Sequence, residues 1–264
     1  KLTQLSLQKA SKFKDINRII IWPETSFEGT IHKEMELLSS ISKKILKDPK
    51  AILVVGLLRA ENNKLFNSMV FLNSNGNIIH QYDKVHLVPF GEYIPFRNNF
   101  STLANFFSMK DFSSGNVKQN FTFREFGEIL TLICYEILFT NEVVTRLTEN
   151  TNLLINITND AWFGKTVGPY QHLALAKIKS VELGVPLARV ANTGISALIS
   201  PYGRIITKIP LYKSGVKTAL LIAPLENTIY KKYGNILFIV CILSLVIINK
   251  LSQNKIMREF KNEK

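Results

Sequence analysis

The sequence lacks the residue clusters that bind structural metals or form disulfides. Only two cysteines occur among the 264 residues, Cys134 and Cys241, and their surroundings are so unlike that no disulfide is expected. No CxxC pair and no cluster of histidines and cysteines is present, so the sequence predicts no metal and no cofactor. An internal repeat is also absent.

Acidic residues are few relative to basic ones. The chain has 20 Asp and Glu against 33 Lys and Arg, a formal net charge of +13, and the basic residues are spread along it. A basic surface suits anionic lipid as well as nucleic acid. Because no nucleic-acid-binding motif accompanies the charge, we expect a membrane partner and no nucleic acid. With 46% hydrophobic and 20% charged residues, the chain can bury a sizeable core.

The N-terminal residues contain no signal peptide and no initial methionine. The chain instead enters directly into an amphipathic helical pattern at residues 2–14. We therefore expect the sequence to be a piece of a longer protein.

Apolar runs alternate with helical patterns over the first 190 residues. This alternation predicts one α/β domain with a mixed sheet at residues 1–225, ending in a strand at 216–223. Hairpin turns are predicted at Asn75–Gly76 and at Phe126–Gly127. Residues 90–116 are rich in phenylalanine but show little periodicity, which is typical of a functional loop.

The segment 236–248 is apolar except for Ser244. Its 13 residues fall short of the ~20 that span a bilayer core, so by length alone a buried helix or strand is an alternative. Because it follows a complete domain and has flanking lysines and a tyrosine, we expect a transmembrane helix at 234–250. The basic tail at 251–264 then predicts a cytoplasmic end, with the α/β domain across the membrane.

Three polar side chains stand directly after apolar strands and could form a catalytic set. Cys134 ends the predicted strand 128–134, where a thiol could act as a nucleophile. Glu24, just past the strand ending at Trp22, could be its general base, and Lys84 could stabilise an oxyanion. Taken singly, each residue has a commoner role. A cysteine such as Cys134 is more often a small core residue, Glu24 could be a helix cap, and Lys84 could be a surface charge.

Several motifs resemble the apolipoprotein N-acyltransferase family, the membrane-bound branch of the nitrilase superfamily. The resemblance runs in the same order through nearly the whole chain. The matching segments are WPETS (22–26), YDKVHLVPFGEYIP (82–95), CYE (134–136), NITNDAWFG (156–164) and GPYQHLALAKIKSVELGVPLARVANTGISALISPYGRI (168–205), together with the terminal apolar segment.

This resemblance implies a nitrilase-type α-β-β-α sandwich and a thioester mechanism. An acyl chain from a phospholipid such as phosphatidylethanolamine would be held on Cys134 and passed to the diacylglyceryl-cysteine of an apolipoprotein. Glu24 would be the general base and Lys84 the oxyanion-stabilising lysine. Glu92 would be a further essential glutamate, and Tyr135 and Glu136 would adjoin the nucleophile, with the Tyr135 N–H facing the oxyanion.

The resemblance also implies a location and two alternatives. The location is the bacterial inner membrane, with the catalytic domain facing the periplasm. The family's N-terminal membrane helices and its first nitrilase strand would precede Lys1. A soluble amidase of the same superfamily and an inactive truncated remnant are the alternative hypotheses.

Overall fold

The computed structural model describes residues 1–7, 16–27, 29–95, 111–116 and 120–262, and two β-sheets form its centre. The strands are β1 (Arg18–Ile21), β2 (Ala51–Glu61), β3 (Lys64–Leu72), β4 (Ile78–Asp83), β5 (Phe121–Thr122), β6 (Glu128–Ile133), β7 (Thr151–Asn159), β8 (Leu187–Asn192), β9 (Ser196–Ile199) and β10 (Ile205–Ile209). The helices are α1 (Leu2–Leu7), α2 (Ile31–Ile45), α3 (Thr140–Arg146), α4 (Gly168–Leu183), α5 (Ile229–Tyr233) and α6 (Ile236–Asn262).

Both sheets are mixed, as the sequence predicts. The four-stranded sheet has the order β1-β2-β3-β4, and the six-stranded sheet has the order β10-β9-β8-β7-β6-β5. In the first sheet β1 pairs in parallel with β2, while β2–β3 and β3–β4 are antiparallel, so β1, β2 and β4 run the same way. In the second sheet β6, β7 and β8 are parallel neighbours. Strands that run in the same direction end at the same edge of their sheet. The residues that follow such strands therefore lie at that edge, where the candidate site is found.

The two sheets face each other across an apolar core. Side chains alternate along a strand, so β2 directs Ile52 and Val54 inward and Leu53 and Val55 outward. The inward set meets Ile155 and its neighbours on the second sheet. Burial of both faces explains why these strands are continuous apolar runs rather than alternating ones.

Helices cover the outer faces of both sheets. Leu38 and Ile45 of α2 pack on the first sheet, and Leu173 and Ala176 of α4 pack on the second. The layers are therefore helix, sheet, sheet and helix, which confirms the α-β-β-α sandwich. Gly184 ends α4 in a left-handed conformation, where glycine carries no Cβ penalty.

The predicted strand at 216–223 is wrong. In the described part of the chain this segment is neither helix nor strand and joins no ladder. It borders a groove of about 940 Å³, and β1 lies among the residues on the groove wall. A strand requires a neighbouring backbone to pair with, which hydrophobicity alone does not reveal.

Other predictions were incomplete. The hairpin at Asn75–Gly76 is confirmed, but a second one, between β2 and β3 at Asn62–Asn63, was not predicted. Of the predicted helix 2–14, the structure describes α1 as a helix, and residues 8–15 lie outside the described residues. Most of the 90–116 loop, residues 96–110, also lies outside them.

The helix α6 stands apart from the sandwich. Its segment Ile236–Gln253 is long and apolar enough to cross a membrane, and none of it is buried within the protein. Eighteen residues of helix reach about 27 Å, close to the ~30 Å of a bilayer core. The helix continues to Asn262, through most of the segment predicted as a basic tail.

Candidate active site

Glu24, Lys84 and Cys134 come together where strands of the two sheets end. Glu24 follows β1 and Lys84 follows β4, which run the same way in the first sheet. Cys134 follows β6 in the second sheet. The two edges are joined directly, because the Asn159 N–H at the end of β7 donates to Glu24 Oε2 at 2.6 Å.

The Glu24 carboxylate is buried and held in one position. It is 4% exposed, and its second oxygen accepts a hydrogen bond from Asn67 Nδ2 at 2.7 Å. The strand β2 passes close beneath it at Gly56, where a Cβ would lie 2.6 Å from the Glu24 Cα. Any side chain at position 56 would therefore displace the turn that carries Glu24.

Lys84 is also fully buried, and its ammonium meets a second carboxylate. Lys84 is 1% exposed, and its Nζ lies 2.8 Å from the Glu92 carboxylate. Asn67 Nδ2 lies 3.1 Å from Glu92 Oε1, so this amide bridges Glu92 and Glu24. The Val88 N–H also donates to Glu92, at 2.9 Å. Both carboxylates are thereby oriented around one buried cation.

The electrostatics keep Lys84 charged and make Glu24 a stronger base than a free carboxylate. Burial raises the pKa of Glu24, and the nearby Lys84 and Asn67 offset only part of that effect. Burial alone would lower the pKa of Lys84, but the attraction of Cys134, Glu24 and Glu92 outweighs it and raises that pKa. A buried ammonium facing carboxylates therefore persists at neutral pH.

Cys134 begins a short 3-10 turn, residues Cys134–Leu138, which we call the Cys134 turn. Its backbone has a φ of 54°, in the left-handed region that a non-glycine residue rarely occupies. Burial raises the pKa of the Cys134 thiol to about 12, with Glu24 adding to the effect and Lys84 opposing it. The resting thiol is therefore protonated, and it requires a base to become a nucleophile.

Glu136 ties the Cys134 turn to the segment that carries Lys84. Its Oε2 accepts from the Ile133 N–H at 2.6 Å, just before Cys134. Its Oε1 accepts from the Val85 N–H at 2.8 Å and from the Tyr82 hydroxyl at 2.8 Å. Burial raises the pKa of Glu136 despite these donors. Glu136 thus lies beneath the site as a structural tie, not on its open surface.

Tyr135, the residue after Cys134, and Trp162 are exposed aromatic side chains. Tyr135 is 37% exposed, and its ring lies 5.6 Å from that of His172 and 6.5 Å from that of Phe163. Trp162, from the NDAWFG motif, is 76% exposed. An exposed aromatic side chain, with the rings of Phe163 and His172 near it, therefore follows the thiol directly in the chain.

Sequence reasoning missed several polar residues that surround the set. Asn67 bridges the two carboxylates, and Asn156, Thr158 and Arg189 lie buried behind Cys134. The signal was available, because each is a polar side chain inside an otherwise apolar strand. Such residues are rarely buried without a partner.

The two histidines of the sequence motifs differ in their surroundings. His86 is partly exposed and pairs with Glu142 at 2.8 Å. His172 is buried against Asp160, and burial lowers its pKa. Within the described part of the chain, no group of three or more His, Cys, Asp and Glu side chains is placed to hold a metal ion.

This arrangement can attack an acyl carbonyl. Glu24 can take the proton of the thiol as sulfur forms a bond to carbon. Lys84 can stabilise the negative charge that develops on the carbonyl oxygen. A thioester formed in this way can be released by water or by an amine.

Comparison with known proteins places this chain among enzymes with the same architecture. The sequence model of the carbon-nitrogen hydrolase family matches residues 9–229. Among solved structures, a carbon-nitrogen hydrolase from Helicobacter pylori G27 superimposes with a TM-score of 0.59 at 14% identity, covering 81% of this chain and 79% of that one. A mutant of the amidase from Nesterenkonia sp. AN1, with the acetamide moiety of fluoroacetamide on its active site cysteine, gives 0.56 at 16% identity, covering 80% and 77%. These likenesses show the nitrilase fold.

Curated relatives are more similar in sequence. The apolipoprotein N-acyltransferase of Rhodopseudomonas palustris is 33% identical over 255 residues, which cover 92% of this chain and 47% of the relative. That of Rickettsia bellii is 36% identical over 245 residues, covering 90% and 48%. The chain thus spans about half the length of the curated relatives it matches.

Proposed function

Because the chain belongs to the carbon-nitrogen hydrolase family, we propose that it is the catalytic domain of an apolipoprotein N-acyltransferase. The observation that carries the proposal is the cluster at the meeting edge of the two sheets, where the buried Glu24 and Lys84 lie with the partly buried Glu92 and Cys134. The sequence identity to apolipoprotein N-acyltransferases supports this chemistry over hydrolysis of small amides.

In the first half-reaction, Cys134 takes the acyl chain from a phospholipid. Glu24 accepts the proton as Sγ attacks the ester carbonyl carbon, and Lys84 faces the resulting oxyanion. When the intermediate collapses, the carbon–oxygen bond breaks and Glu24 returns the proton to the departing lysophospholipid oxygen. The product is a thioester on Cys134.

In the second half-reaction, the free α-amine of a diacylglyceryl-cysteine attacks the thioester. Glu24 accepts a proton from the amine, the carbon–sulfur bond breaks and the proton returns to the thiolate. The high pKa of Cys134, about 12, means that the released sulfur readily takes up this proton. The apolipoprotein leaves with an amide-linked acyl chain.

Glu92, Tyr135 and Glu136 act around this set. Glu92 orients the Lys84 ammonium through their 2.8 Å contact. The Tyr135 N–H is proposed to join Lys84 in binding the oxyanion. Glu136 keeps the Cys134 turn and the Lys84 segment at a constant separation.

The membrane is the proposed location of the reaction. The unburied apolar helix Ile236–Gln253 supports an anchored protein, and the exposed Tyr135, next to Cys134 in the chain, suits a lipid tail. We propose the bacterial inner membrane, with the sandwich facing the periplasm and phosphatidylethanolamine as a donor. The basic residues that follow the apolar part of α6, from Lys250 onward, support a cytoplasmic C-terminus.

The test is direct detection of the acyl adduct. Detergent-solubilised protein is incubated with phosphatidylethanolamine, and peptide mass spectrometry locates any added acyl chain. The chain offers its own control, because Cys241 is the second free thiol and should remain unmodified. Cys134→Ser should remove the adduct, while Cys241→Ser should keep it. A diacylglyceryl-cysteine peptide should then discharge the thioester.

Other outcomes separate the alternatives. Release of ammonia from small amides, without an acyl adduct, would favour a soluble-type amidase. The inactive-remnant hypothesis predicts neither reaction, and an adduct on Cys241 at the same level would reject Cys134 as the acyl carrier.

A further inference from the structure

A fully buried ion pair lies directly behind Cys134. Arg189, in the middle of β8, donates from Nη2 to both oxygens of Asp160, at 3.0 and 2.8 Å. Neither the Arg189 nor the Asp160 side chain is exposed to solvent. Burying an ion pair incurs a large desolvation cost, so such a pair is weak evidence for a role in stability. Its position suggests that it orients something nearby.

The pair determines how one amide is turned. Arg189 Nη1 donates to Asn156 Oδ1 at 2.8 Å. A guanidinium has only donors, so it can pair only with the oxygen of the amide. The Asn156 Nδ2 must therefore face the other way, and it donates to the Cys134 carbonyl at 3.2 Å.

Holding this carbonyl also determines the direction of the next N–H. The peptide between Cys134 and Tyr135 is planar and trans, since no cis bond occurs among the described residues. In a trans peptide the C=O and N–H point in opposite directions. With the Cys134 oxygen directed at Asn156, the Tyr135 N–H points away from Asn156.

The Cys134 turn needs such a restraint. Its φ of 54° lies in the left-handed region, which is unfavourable for a residue with a side chain. The Cys134–Tyr135 peptide can still rotate about the bonds that flank it unless its neighbours hold it. Rotation would direct the carbonyl, in place of the N–H, toward a bound acyl group.

We propose that Asn156, oriented by Arg189 and Asp160, is a positioning residue that holds the Cys134–Tyr135 peptide so that its N–H faces the acyl oxygen. The proposal rests on the proposed function of Cys134 as the nucleophile. Asn156 contacts no substrate and acts through the peptide bond. Its removal therefore affects stabilisation of the oxyanion and leaves the thiol itself in place.

Two reactions of Cys134 separate these effects. Acylation by a p-nitrophenyl ester passes through an oxyanion, whereas alkylation by iodoacetamide is a direct displacement that forms none. Asn156→Ala should slow acylation about 10²-fold, the usual effect of losing one oxyanion donor. The alkylation rate of Cys134 should stay at the wild-type level.

The control variant is Asn152→Ala, on the same strand. Asn152 is a partly buried asparagine near the start of β7, four positions before Asn156. It should change neither rate. Arg189→Lys keeps a positive charge but loses the fork that grips both Asp160 and Asn156, so it should show the same split as Asn156→Ala.

Three results would overturn the proposal. They are an Asn156→Ala protein acylated as fast as Asn152→Ala, equal losses in acylation and alkylation, and a wild-type protein that the ester does not acylate at Cys134. A failure of the proposed function alone is distinguishable. In that case the ester acylates Cys134 and the split appears, but phosphatidylethanolamine gives no adduct.

Discussion

Replacing Glu24 with glutamine should raise the rate of one reaction of Cys134 and lower the rate of another. The carboxylate has two effects on the thiol. Its negative charge raises the pKa of Cys134, and in the proposed mechanism it removes the thiol proton. Glu24→Gln abolishes both effects with little change in side-chain shape.

The size of the first effect follows from the charge. With a pKa of about 12, only about one thiol in 10⁴ is ionised at pH 8. A neighbouring charge typically changes a pKa by about one to three units. Without the Glu24 charge, and with Lys84 still present, the thiolate fraction should rise at least about tenfold. Alkylation of Cys134 by iodoacetamide should accelerate accordingly.

The second effect has the opposite sign. Loss of a general base typically lowers a rate about 10²- to 10⁴-fold. Acylation of Cys134 by phosphatidylethanolamine or by a p-nitrophenyl ester should fall within that range. Faster alkylation together with slower acylation is a combination that damage to the fold does not produce.

The substitution also has a structural cost. Glu24 accepts hydrogen bonds from Asn67 Nδ2 and from the Asn159 N–H, one on each oxygen. Glutamine has one acceptor oxygen, so one of these donors would face its amide NH₂. This should lower the free energy of unfolding by about 1–3 kcal/mol. Thermal unfolding in detergent measures that cost separately from the rates.

The assay uses wild-type protein, Glu24→Gln and a control, Glu149→Gln. Glu149 is an exposed glutamate that precedes β7, whereas Asn159 is the last residue of that strand. Mass spectrometry of the Cys134 peptide follows alkylation and acylation over time at pH 8. If Glu24→Gln slows both reactions in parallel, or leaves acylation unchanged, the assignment of Glu24 as the base is refuted.

Three further predictions concern the neighbours of Cys134. Lys84→Met should slow acylation of Cys134 about 10²-fold or more. It should also slow alkylation, because the ammonium lowers the pKa of Cys134. An unchanged alkylation rate would contradict the effect of Lys84 on the thiol. Glu136→Gln should lower the free energy of unfolding by about 1–3 kcal/mol, since glutamine cannot accept from the Ile133 N–H and from the donors to Oε1 together; an unchanged denaturation midpoint would argue against that tie. Acylation should decline as the pH falls through the raised pKa of Glu24, so its acid limb should lie above pH 4.5; a limb at or below that value would reject Glu24 as the titrating base.

The fold class was predictable because both sheets are buried on two faces. Burial makes β2, β6 and β7 continuous apolar runs, and the polar residues that follow them mark their ends. The strand at 216–223 was predicted by the same logic and is wrong. Its apolar residues line a groove instead of joining a ladder, and pairing depends on a neighbour that is distant in sequence.

The candidate site was predictable to the extent that each residue stands at a strand end. Glu24, Lys84 and Cys134 could be named from that position, and the family resemblance added Glu92, Tyr135 and Glu136. Glu136 follows Cys134 closely in the chain, as the resemblance implies, but its carboxylate is buried beneath the Cys134 turn. Asn67 is visible in the sequence as a polar residue within a strand, but its role was not, because its two carboxylate partners are 43 and 25 positions away.

The order of residues by itself determined which segments are buried and where the strands end. It also showed that a thiol, a carboxylate and an ammonium each follow a strand. These are local properties, because hydrophobicity and turn chemistry act over a few neighbouring positions. Only the tertiary structure decided that the three groups share one buried site and that Asn156 is turned toward the Cys134 carbonyl. Those facts depend on strand directions and on hydrogen bonds between segments far apart in the chain, which no local pattern encodes.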